Sequence, residues 1–326
     1  MKLLHRRQIL HLAAGAAALP TMSRFARAQA YPTRPVRIVV GYPAGGSADF
    51  HARIMAQWLT ERLGRQFIVE NRPGAGGNIA TEAVVRAQPD GHTLLLAATA
   101  DAVNASLYEN MSFNFVRDIA PIAAIVRGPT VMVVHPSFPA KTVLEFIVYA
   151  KANPGKITMG SAGSGSPAHL AGELFKMMTG ADLVHVPYRG DAPALTDTIS
   201  GQIGVIFGTL APTVEHIKAG RLRALGITAE ARSDALPGIP AVSETVPGYS
   251  ATGWAGLGAP KQTPEEIIAV LNREINGALV NPTIKAKYDQ LGVIALGGTP
   301  QEFARFVSGE TEKWGKVIKF ANIKPE

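Results

Sequence analysis

The chain has 326 residues, of which 47% are hydrophobic and 17% are charged, and it contains no cysteine. This length suits two domains of ordinary size, and the composition is typical of a globular protein and excludes a disordered one. The lack of cysteine excludes disulfides, thiolate metal sites and cysteine nucleophiles. No stretch after residue 30 approaches the roughly 18 apolar residues that a membrane-spanning helix needs.

The positive charge is concentrated at the start of the chain. The formal net charge is +7, from 32 basic and 25 acidic residues. Five of the basic residues and none of the acidic ones lie within residues 1–30, so the rest of the chain has 27 basic against 25 acidic residues, a net charge of +2. A nucleic-acid-binding protein needs a basic domain. We therefore expect no nucleic acid among the partners.

Residues 1–30 have the parts of an export signal. A basic segment precedes a short apolar run at 9–19, and Ala28-Gln29-Ala30 is typical of a signal-peptide cleavage site. The pair Arg6-Arg7 resembles a twin-arginine signal, and an ordinary secretory signal is the alternative. We predict cleavage after Ala30, which would leave a soluble periplasmic protein.

Strands and helices alternate along the mature chain, which indicates an α/β protein with mainly parallel sheets. Pro and Gly are frequent in 229–250, which is predicted to be loop, and the tail after it is predicted to be helical. Helices are predicted from apolar spacing at 47–63, 143–150, from 167 onward, 193–199 and 214–219. Strands are predicted at 36–41, 67–69, 93–97, 122–126, 131–134, 157–159, 183–186, 203–207 and 223–227.

We infer two α/β domains, the second inserted into the first. The first comprises residues 31–128 and 252–326, and the second comprises residues 129–251. The chain would cross between them near 127–130 and near 250. Two crossing segments make a hinge, and ligands commonly lie in the cleft that a hinge closes.

Two helix starts in the tail share one pattern. Thr263-Pro264-Glu265-Glu266 and Thr299-Pro300-Gln301-Glu302 each place threonine at N-cap, proline at N1 and glutamate at N3. This is the spacing of a capping box, which stabilises the first turn of a helix.

The first candidate site is the loop between strand 36–41 and helix 47–63. Its sequence is Tyr42-Pro43-Ala44-Gly45-Gly46-Ser47-Ala48-Asp49. Glycines let backbone N–H groups approach a ligand, and a helix start offers unsatisfied donors and partial positive charge. A carboxylate fits there without a basic side chain. The structural alternative is a tight turn in which Ser47 caps the helix and Asp49 interacts with its dipole.

The second candidate loop repeats this design. It reads Gly160-Ser161-Ala162-Gly163-Ser164-Gly165-Ser166-Pro167-Ala168-His169, with Ser166 at N-cap and Pro167 at N1. It matches neither a Walker loop, nor a dinucleotide fingerprint, nor a nucleophile elbow. His169 either packs beneath the loop or contacts the ligand. Facing each other, the two loops would hold the two ends of a small acid.

At these loops the chain resembles the Bug family of extracytoplasmic receptors, the binding components of tripartite tricarboxylate transporters. The resemblance covers nearly all of residues 31–320. Outside the loops its marks are ENRPGAGG at 70–77, DGHTLLLA at 90–97, NASLYENMSFN at 104–114, VPYRGDAPALTDTISGQI at 186–203 and AGRLRALGIT at 219–228.

This resemblance implies a two-domain Venus-flytrap fold similar to type II periplasmic binding proteins. Its function would be to bind a small carboxylate and deliver it to membrane transporter subunits. We expect a monomer without cofactor, metal or catalytic residues. The ligand-binding positions that the resemblance assigns are Tyr42, Pro43, Gly45, Gly46, Ser47, Asp49, Thr99, Ser161, Ala162, Gly163, Ser164, Ser166, His169, Tyr188, Arg189, Gly208 and Thr209.

Two charged residues qualify the ligand class. The family often has a neutral or imidazole-bearing residue where this chain has Asp101. If Asp101 faces the cleft, it would select a ligand with an amine, ring N–H or hydroxyl; helix capping or solvent exposure is the alternative. Arg189 would be either a bidentate carboxylate clamp or an exposed arginine in a turn.

Three functions remain open at this stage: a transport receptor, a co-receptor that only senses the ligand, and an exported enzyme. The chain has no HExxH, no GxSxG and no His/carboxylate cluster with metal spacing, which argues against the enzyme. A receptor and a sensor would share the same fold and site. The ligand would be a di-, hydroxy-, amino- or aromatic acid.

Overall fold

The computed structural model describes residues 31–108, 111–188 and 190–324. The predicted leader, its cleavage site and Arg189 lie outside this range. Strands in the described residues are β1 (Val36–Val40), β2 (Phe67–Asn71), β3 (Thr93–Ala98), β4 (Ile119–Val134), β5 (Ile157–Ser161), β6 (Leu183–Pro187), β7 (Val205–Thr209), β8 (Arg223–Ile227), β9 (Thr252–Pro260) and β10 (Ile294–Gly297).

Helices cover these strands, and short 3-10 turns lie at Ala75–Gly77 and Val242–Glu244. None of the helices in the described ranges is long and apolar enough to cross a membrane. The helices are α1 (Ser47–Leu63), α2 (Asn78–Val85), α3 (Thr99–Leu107), α4 (Phe115–Asp118), α5 (Val143–Ala152), α6 (Pro167–Thr179), α7 (Asp191–Ile199), α8 (Leu210–Lys218), α9 (Glu265–Leu279), α10 (Pro282–Gln290) and α11 (Pro300–Ala321).

The strands form two mixed sheet regions that β4 joins. In the first region, β1 pairs in parallel with β2 and β3, whereas β9 is antiparallel to β3 and β4. In the second region, β5 pairs in parallel with β6 and β7, whereas β7 and β8 are antiparallel to β4. The predicted α/β fold is confirmed. Parallel pairing, however, is confined to β1–β3 and β5–β7, and the strands added beside them are antiparallel.

A single strand links the two regions. The sequence predicts separate strands at 122–126 and 131–134, but β4 runs unbroken through both. Up to Pro129 it pairs with β9, and from Thr130 onward it pairs with β7. The first crossing is therefore an extended segment with hydrogen-bonded neighbours on both sides of Pro129.

Thr228 connects this crossing to the second one. Its hydroxyl accepts a hydrogen bond from Thr130 N (2.8 Å) and lies 2.9 Å from the Thr130 hydroxyl. Its carbonyl accepts a hydrogen bond from Ala251 N at 2.9 Å, just before β9 begins. Both crossings are thus hydrogen-bonded to the end of β8.

Helices pack on both faces of each sheet region, which gives layered α/β/α packing. On the first region, α1, α9 and α10 bury one apolar cluster, and α2, α3 and α11 bury another. On the second, α5 and α6 cover one face, and α7 and α8 cover the other. The loops that follow the carboxyl ends of the parallel strands lead directly into the helices.

The last helix belongs to both regions. Phe303 and Val307 pack in the core of the first region, whereas Trp314, Val317 and Ile318 pack in the core of the second. The predicted division assigned all of 252–326 to the first domain. Because α11 is a continuous helix of 22 residues, its two ends reach different cores. The domain boundaries stay a prediction.

The two predicted capping boxes have different outcomes. Thr299 accepts a hydrogen bond from Glu302 N, and the Glu302 carboxylate accepts one from Thr299 N (2.7 Å), which confirms the second box. The first prediction is wrong, because Pro264 has an extended ψ of 140° and α9 begins only at Glu265. The hydroxyl of Thr263 therefore lies one position too early to cap.

Candidate functional site

The predicted loops follow the carboxyl ends of parallel strands. The loop after β1 leads into α1, and the one after β3 leads into α3. In the second region, the loops after β5, β6 and β7 lead into α6, α7 and α8. In open α/β sheets, ligands bind in the crevice outside these strand ends. The candidate site is therefore the space bounded by these helix starts.

Asp49 is a buried residue that holds the first loop in place by hydrogen bonds. Its side chain is only 4% exposed. One carboxylate oxygen accepts hydrogen bonds from Gly45 N (2.9 Å) and Arg53 Nε (2.8 Å), and the other accepts one from Asn71 Nδ2 (3.0 Å). The hydrogen bond from Arg53, with those from Gly45 and Asn71, lowers the pKa of Asp49 to about 2. Both oxygens are thus hydrogen-bonded within the protein, which gives Asp49 a structural role, and its ligand contact stays a prediction.

The start of α1 carries the exposed donors of this loop. The helix begins at Ser47 with Gly46 as N-cap, and no side chain caps it, so Ser47 is not the cap. The Ser47 hydroxyl lies 3.2 Å from His51 Nε2 instead. Pro43, Gly45, Gly46 and Ser47 are exposed. Because the first N–H groups of a helix lack intrahelical acceptors, this turn can receive an anion.

Two titratable groups behind this loop are held neutral by burial. Burial lowers the pKa of His51 to about 4. The pKa of Tyr42 is raised by burial first and by the charge of Asp101 second. The imidazole and the phenol are therefore both uncharged near neutral pH, and the groups that this loop offers to an anion are its backbone N–H groups.

Asp101 caps the start of its own helix, α3. It is 6% exposed, and its carboxylate accepts hydrogen bonds from Thr81 Oγ1 (2.5 Å) and Ala98 N (2.8 Å). Burial raises the pKa of Asp101 to about 6, despite these two bonds. Of the two possibilities the sequence left open, the structure shows helix capping, and both carboxylate oxygens of Asp101 accept hydrogen bonds within the protein.

The starts of α3 and α6 approach each other at Gly253. A Cβ on Gly253 would lie 3.9 Å from Thr99 Oγ1 and 4.0 Å from Pro167 Cγ. Thr99 is buried, and its hydroxyl accepts a hydrogen bond from Trp254 N at 2.9 Å. Nearby, a Cβ on Gly165 would lie 3.5 Å from Leu107 of α3. The fold thus brings a helix start from each region to one place.

In the second loop, residues 161–166, serine hydroxyls hydrogen-bond to the backbone. Ser161 Oγ accepts a hydrogen bond from Gly163 N (3.2 Å) and donates to the Gly163 carbonyl (3.1 Å). Ser166 caps α6 by accepting from His169 N (3.3 Å), and Pro167 is the first helical residue, as predicted. Residues 162–166 are half-buried.

His169 lies beneath this loop. Its Nδ1 accepts a hydrogen bond from Gly165 N at 3.0 Å, and its Nε2 lies 3.6 Å from Glu173 Oε1. Burial raises the pKa of Glu173, but hydrogen bonds from His169 and Lys176 outweigh burial, so the pKa is lowered overall. Of the two roles predicted for His169, the structure shows packing beneath the loop.

His185, on β6, was missed by the sequence analysis. Its ring stacks on that of His169, with centroids 3.6 Å apart and planes inclined by 4°. Its Nε2 lies 2.6 Å from Ser161 Oγ. No local spacing relates His185 to the loop, because only the parallel pairing of β5 and β6 brings the two together.

The remaining predicted positions surround the second loop. The Tyr188 hydroxyl donates to Asp197 (2.6 Å), and burial followed by this bond raises its pKa to about 12. Its phenol hydroxyl therefore bonds to α7, and its backbone N donates to Ser161 O of the loop (2.9 Å). Thr209 is exposed and donates to Asp191 (3.0 Å), whereas Gly208 is buried against Thr213.

The chain matches one family model over residues 51–323: the tripartite tricarboxylate transporter family receptor. A relative is the protein BugT of Bordetella pertussis, 35% identical over 300 residues, which cover 91% of this chain and 92% of BugT.

Two solved structures extend this likeness. The R. palustris protein Rpa4515 with adipate has a TM-score of 0.79 and 35% identity, covering 91% of this chain and all of that one. MatC from Rhodopseudomonas palustris with bound malate has a TM-score of 0.75 and 29% identity, covering 88% of this chain and all of that one. Since the family model matches most of its length, this chain belongs to the receptor family of tripartite tricarboxylate transporters.

Proposed function

We propose that this receptor binds one small dicarboxylate between the loops 42–47 and 161–166 and hands it to the membrane subunits of a tripartite transporter. The observation that carries this proposal is the convergence of the α3 and α6 starts at Gly253. The loop 42–47 follows β1, the parallel neighbour of β3, so it leaves the same edge of the sheet beside the start of α3. Neither loop contains a lysine or an arginine. Oriented N–H groups at helix starts attract carboxylates without a charged side chain.

Two observations favour a diacid over a monoacid. Each sheet region presents its own glycine-rich helix start, so each end of a short diacid has a partner. Similar receptors were solved with adipate and with malate, which both have two carboxylates. Because both Asp49 and Asp101 are engaged internally, neither adds a requirement for an amine on the ligand.

We propose further that the receptor is a periplasmic monomer that releases its ligand unchanged. The buried carboxylates and histidines around the loops all hydrogen-bond to backbone or to neighbouring side chains, which is the arrangement of a preformed binding loop. A sensing role without transport would use the same site, and measurement of uptake in a gene deletion distinguishes the two.

The test is a thermal-shift screen followed by calorimetry on the mature chain. The panel contains adipate, malate, hexanoate as a monoacid of matched length, and hexane-1,6-diol as an uncharged control. A dicarboxylate present at about 100 times its Kd should stabilise the protein by roughly 2.7 kcal/mol. We expect the diacids to raise Tm and the diol to leave it unchanged.

Flat melting with adipate and malate, together with a clear shift with hexanoate, would replace the diacid by a monoacid. Flat melting across the panel would count against the proposed ligand class altogether. Chemical change of any bound acid during incubation, followed by NMR, would overturn the proposal of release without reaction.

A further inference from the structure

We propose that the stacked imidazoles of His169 and His185 are positioning residues for the loop 161–166, which keeps its ligand-binding geometry only while His169 is uncharged. This inference rests on the proposed function, since the loop is one wall of the proposed dicarboxylate site. It assigns a role to His185, and it makes ligand binding depend on one buried proton.

The two imidazoles hold the loop at both of its ends. His185 Nε2 lies 2.6 Å from Ser161 Oγ, which in turn bonds both the N–H and the carbonyl of Gly163. His169 Nδ1 accepts from Gly165 N at 3.0 Å. The N–H groups of Gly163 and Gly165 are therefore used within the protein, where they donate to Ser161 Oγ and His169 Nδ1.

The hydrogen bond from Gly165 defines the protonation state of His169. A nitrogen that accepts an N–H bond carries no proton, so neutral His169 has its proton on Nε2, which faces Glu173 Oε1 at 3.6 Å. A second proton would have to go to Nδ1. There it would face the Gly165 N–H, donor against donor, and this bond would be lost.

The stack opposes charge as well. The ring centroids of His169 and His185 are 3.6 Å apart and the rings are nearly parallel, so two positive charges would lie face to face. A second added proton on the pair is therefore unfavourable. Any charge on His185 then makes a charge on His169 less favourable.

Other charged groups lie close to His169. In the described residues these are Glu173 on its own helix and Lys176, which donates to Glu173 at 2.9 Å. The pKa of Glu173 is lowered overall, so its carboxylate stays ionised. Imidazole is the side-chain group that most readily changes charge within the physiological pH range.

The experiment compares adipate affinity at pH 7.5 and pH 5.5 by calorimetry, on the full mature chain. Wild type should lose about tenfold more affinity over this range than His169→Asn, because one proton must leave before the loop can bind. Asparagine places an oxygen where Nδ1 was, so it keeps the acceptor for Gly165 and cannot titrate. His169→Asn should bind within about threefold of wild type at pH 7.5.

Further variants separate positioning from charge. His169→Ala removes the acceptor and should weaken binding about tenfold at both pH values. His185→Leu removes the partner of Ser161 and should also weaken binding at both, whereas His185→Gln should restore most of the affinity. His135→Asn, at a histidine that bonds only to Ser137, is the matched control and should follow the wild-type profile.

A ligand-free measurement keeps this inference separate from the choice of ligand. In ¹⁵N-labelled protein, the Gly165 amide resonance should move with pH in step with the His169 ring nitrogens, and it should not move in His169→Asn. If adipate and malate fail to bind while this coupling is seen, the ligand class is wrong and the positioning role stands. Three outcomes would each overturn the inference. Wild type and His169→Asn could show identical pH profiles, or wild type could lose less affinity than His169→Asn between pH 7.5 and pH 5.5. The Gly165 amide resonance could also fail to change with the protonation of His169.

Discussion

Asp101 shows how much a buried carboxylate can cost even when it is hydrogen-bonded. Burial raises its pKa to about 6, although Thr81 and Ala98 both donate to it. Between about pH 4 and pH 6, the folded protein therefore holds a proton at Asp101 that the unfolded chain has released. The contribution of Asp101 to the free energy of unfolding is therefore most favourable at low pH and is lost as the pH rises through about 6.

We predict that Asp101→Asn raises the free energy of unfolding at pH 7.5 by about 1–3 kcal/mol, because the amide keeps the shape of the carboxylate and removes its charge. At pH 4.0, where the folded wild type is protonated, this gain should vanish. Urea unfolding at pH 4.0, 5.5 and 7.5 measures both. Asp101→Ala is the control, and it should be less stable at every pH, since Ala98 N and Thr81 lose their acceptor. An Asp101→Asn protein less stable than wild type at pH 7.5 would contradict the prediction.

Residue-level roles were predictable from sequence only where they depend on neighbours along the chain. Ser166 and Pro167 lie next to the helix that they start, so spacing alone identified them. Asp49 has the right spacing for a helix-start acid, but its bond to Asn71 of β2 depends on strand pairing. His185 had no such signal, because its partner Ser161 is 24 residues away on a neighbouring strand.

At the scale of elements, β9 is the clearest failure of the sequence patterns. Glycines at 253, 256 and 258 weaken a strand in isolation, and nothing local compensates. The structure supplies the reason for two of them. A Cβ on Gly256 would lie 2.3 Å from Phe303, and one on Gly258 would lie 2.5 Å from Ile119. These glycines admit side chains from other elements, which no period along the chain can reveal.

We predict that Gly256→Ala destabilises the protein by roughly 2–4 kcal/mol, because Phe303 and the Ala123 carbonyl leave no room for a methyl group. Gly309→Ala is the matched control in the described part of α11. No heavy atom lies within 4 Å of its future methyl group, so this change should stabilise by about 0.5–1 kcal/mol through helix propensity. Urea unfolding of both variants gives the comparison. Equal stability of the two variants would contradict the prediction, because it would show that β9 can shift to accommodate the added methyl group.

The whole molecule depends on three connections between its sheet regions. These are the unbroken β4, the segment before β9 and the continuous helix α11. Gly253 lies where the second connection meets the starts of α3 and α6. A side chain there would stand between the two regions without entering either core.

We predict that Gly253→Val weakens adipate binding by at least tenfold, because the branched side chain pushes the starts of α3 and α6 apart. The contacts of a plain Cβ would be ordinary at 3.9–4.0 Å, so Gly253→Ala should keep affinity within about threefold. Calorimetry measures affinity, and thermal melting without ligand should show both variants folded. If Gly253→Val binds as tightly as wild type, the helix starts do not form the site.

The sequence by itself determined the α/β alternation, the positions of both glycine-rich loops and the family of the chain. These features depend on local periodicity, on turn residues and on motifs that are contiguous in the chain. Only the tertiary structure decided that Asp49 and Asp101 turn inward, that His169 and His185 stack, and that α11 ends in the core of the second region. Each of those depends on strand pairing and packing between residues far apart in sequence. The positions of the loops in the chain were therefore predictable, whereas the side chains that hold the loops in place were not.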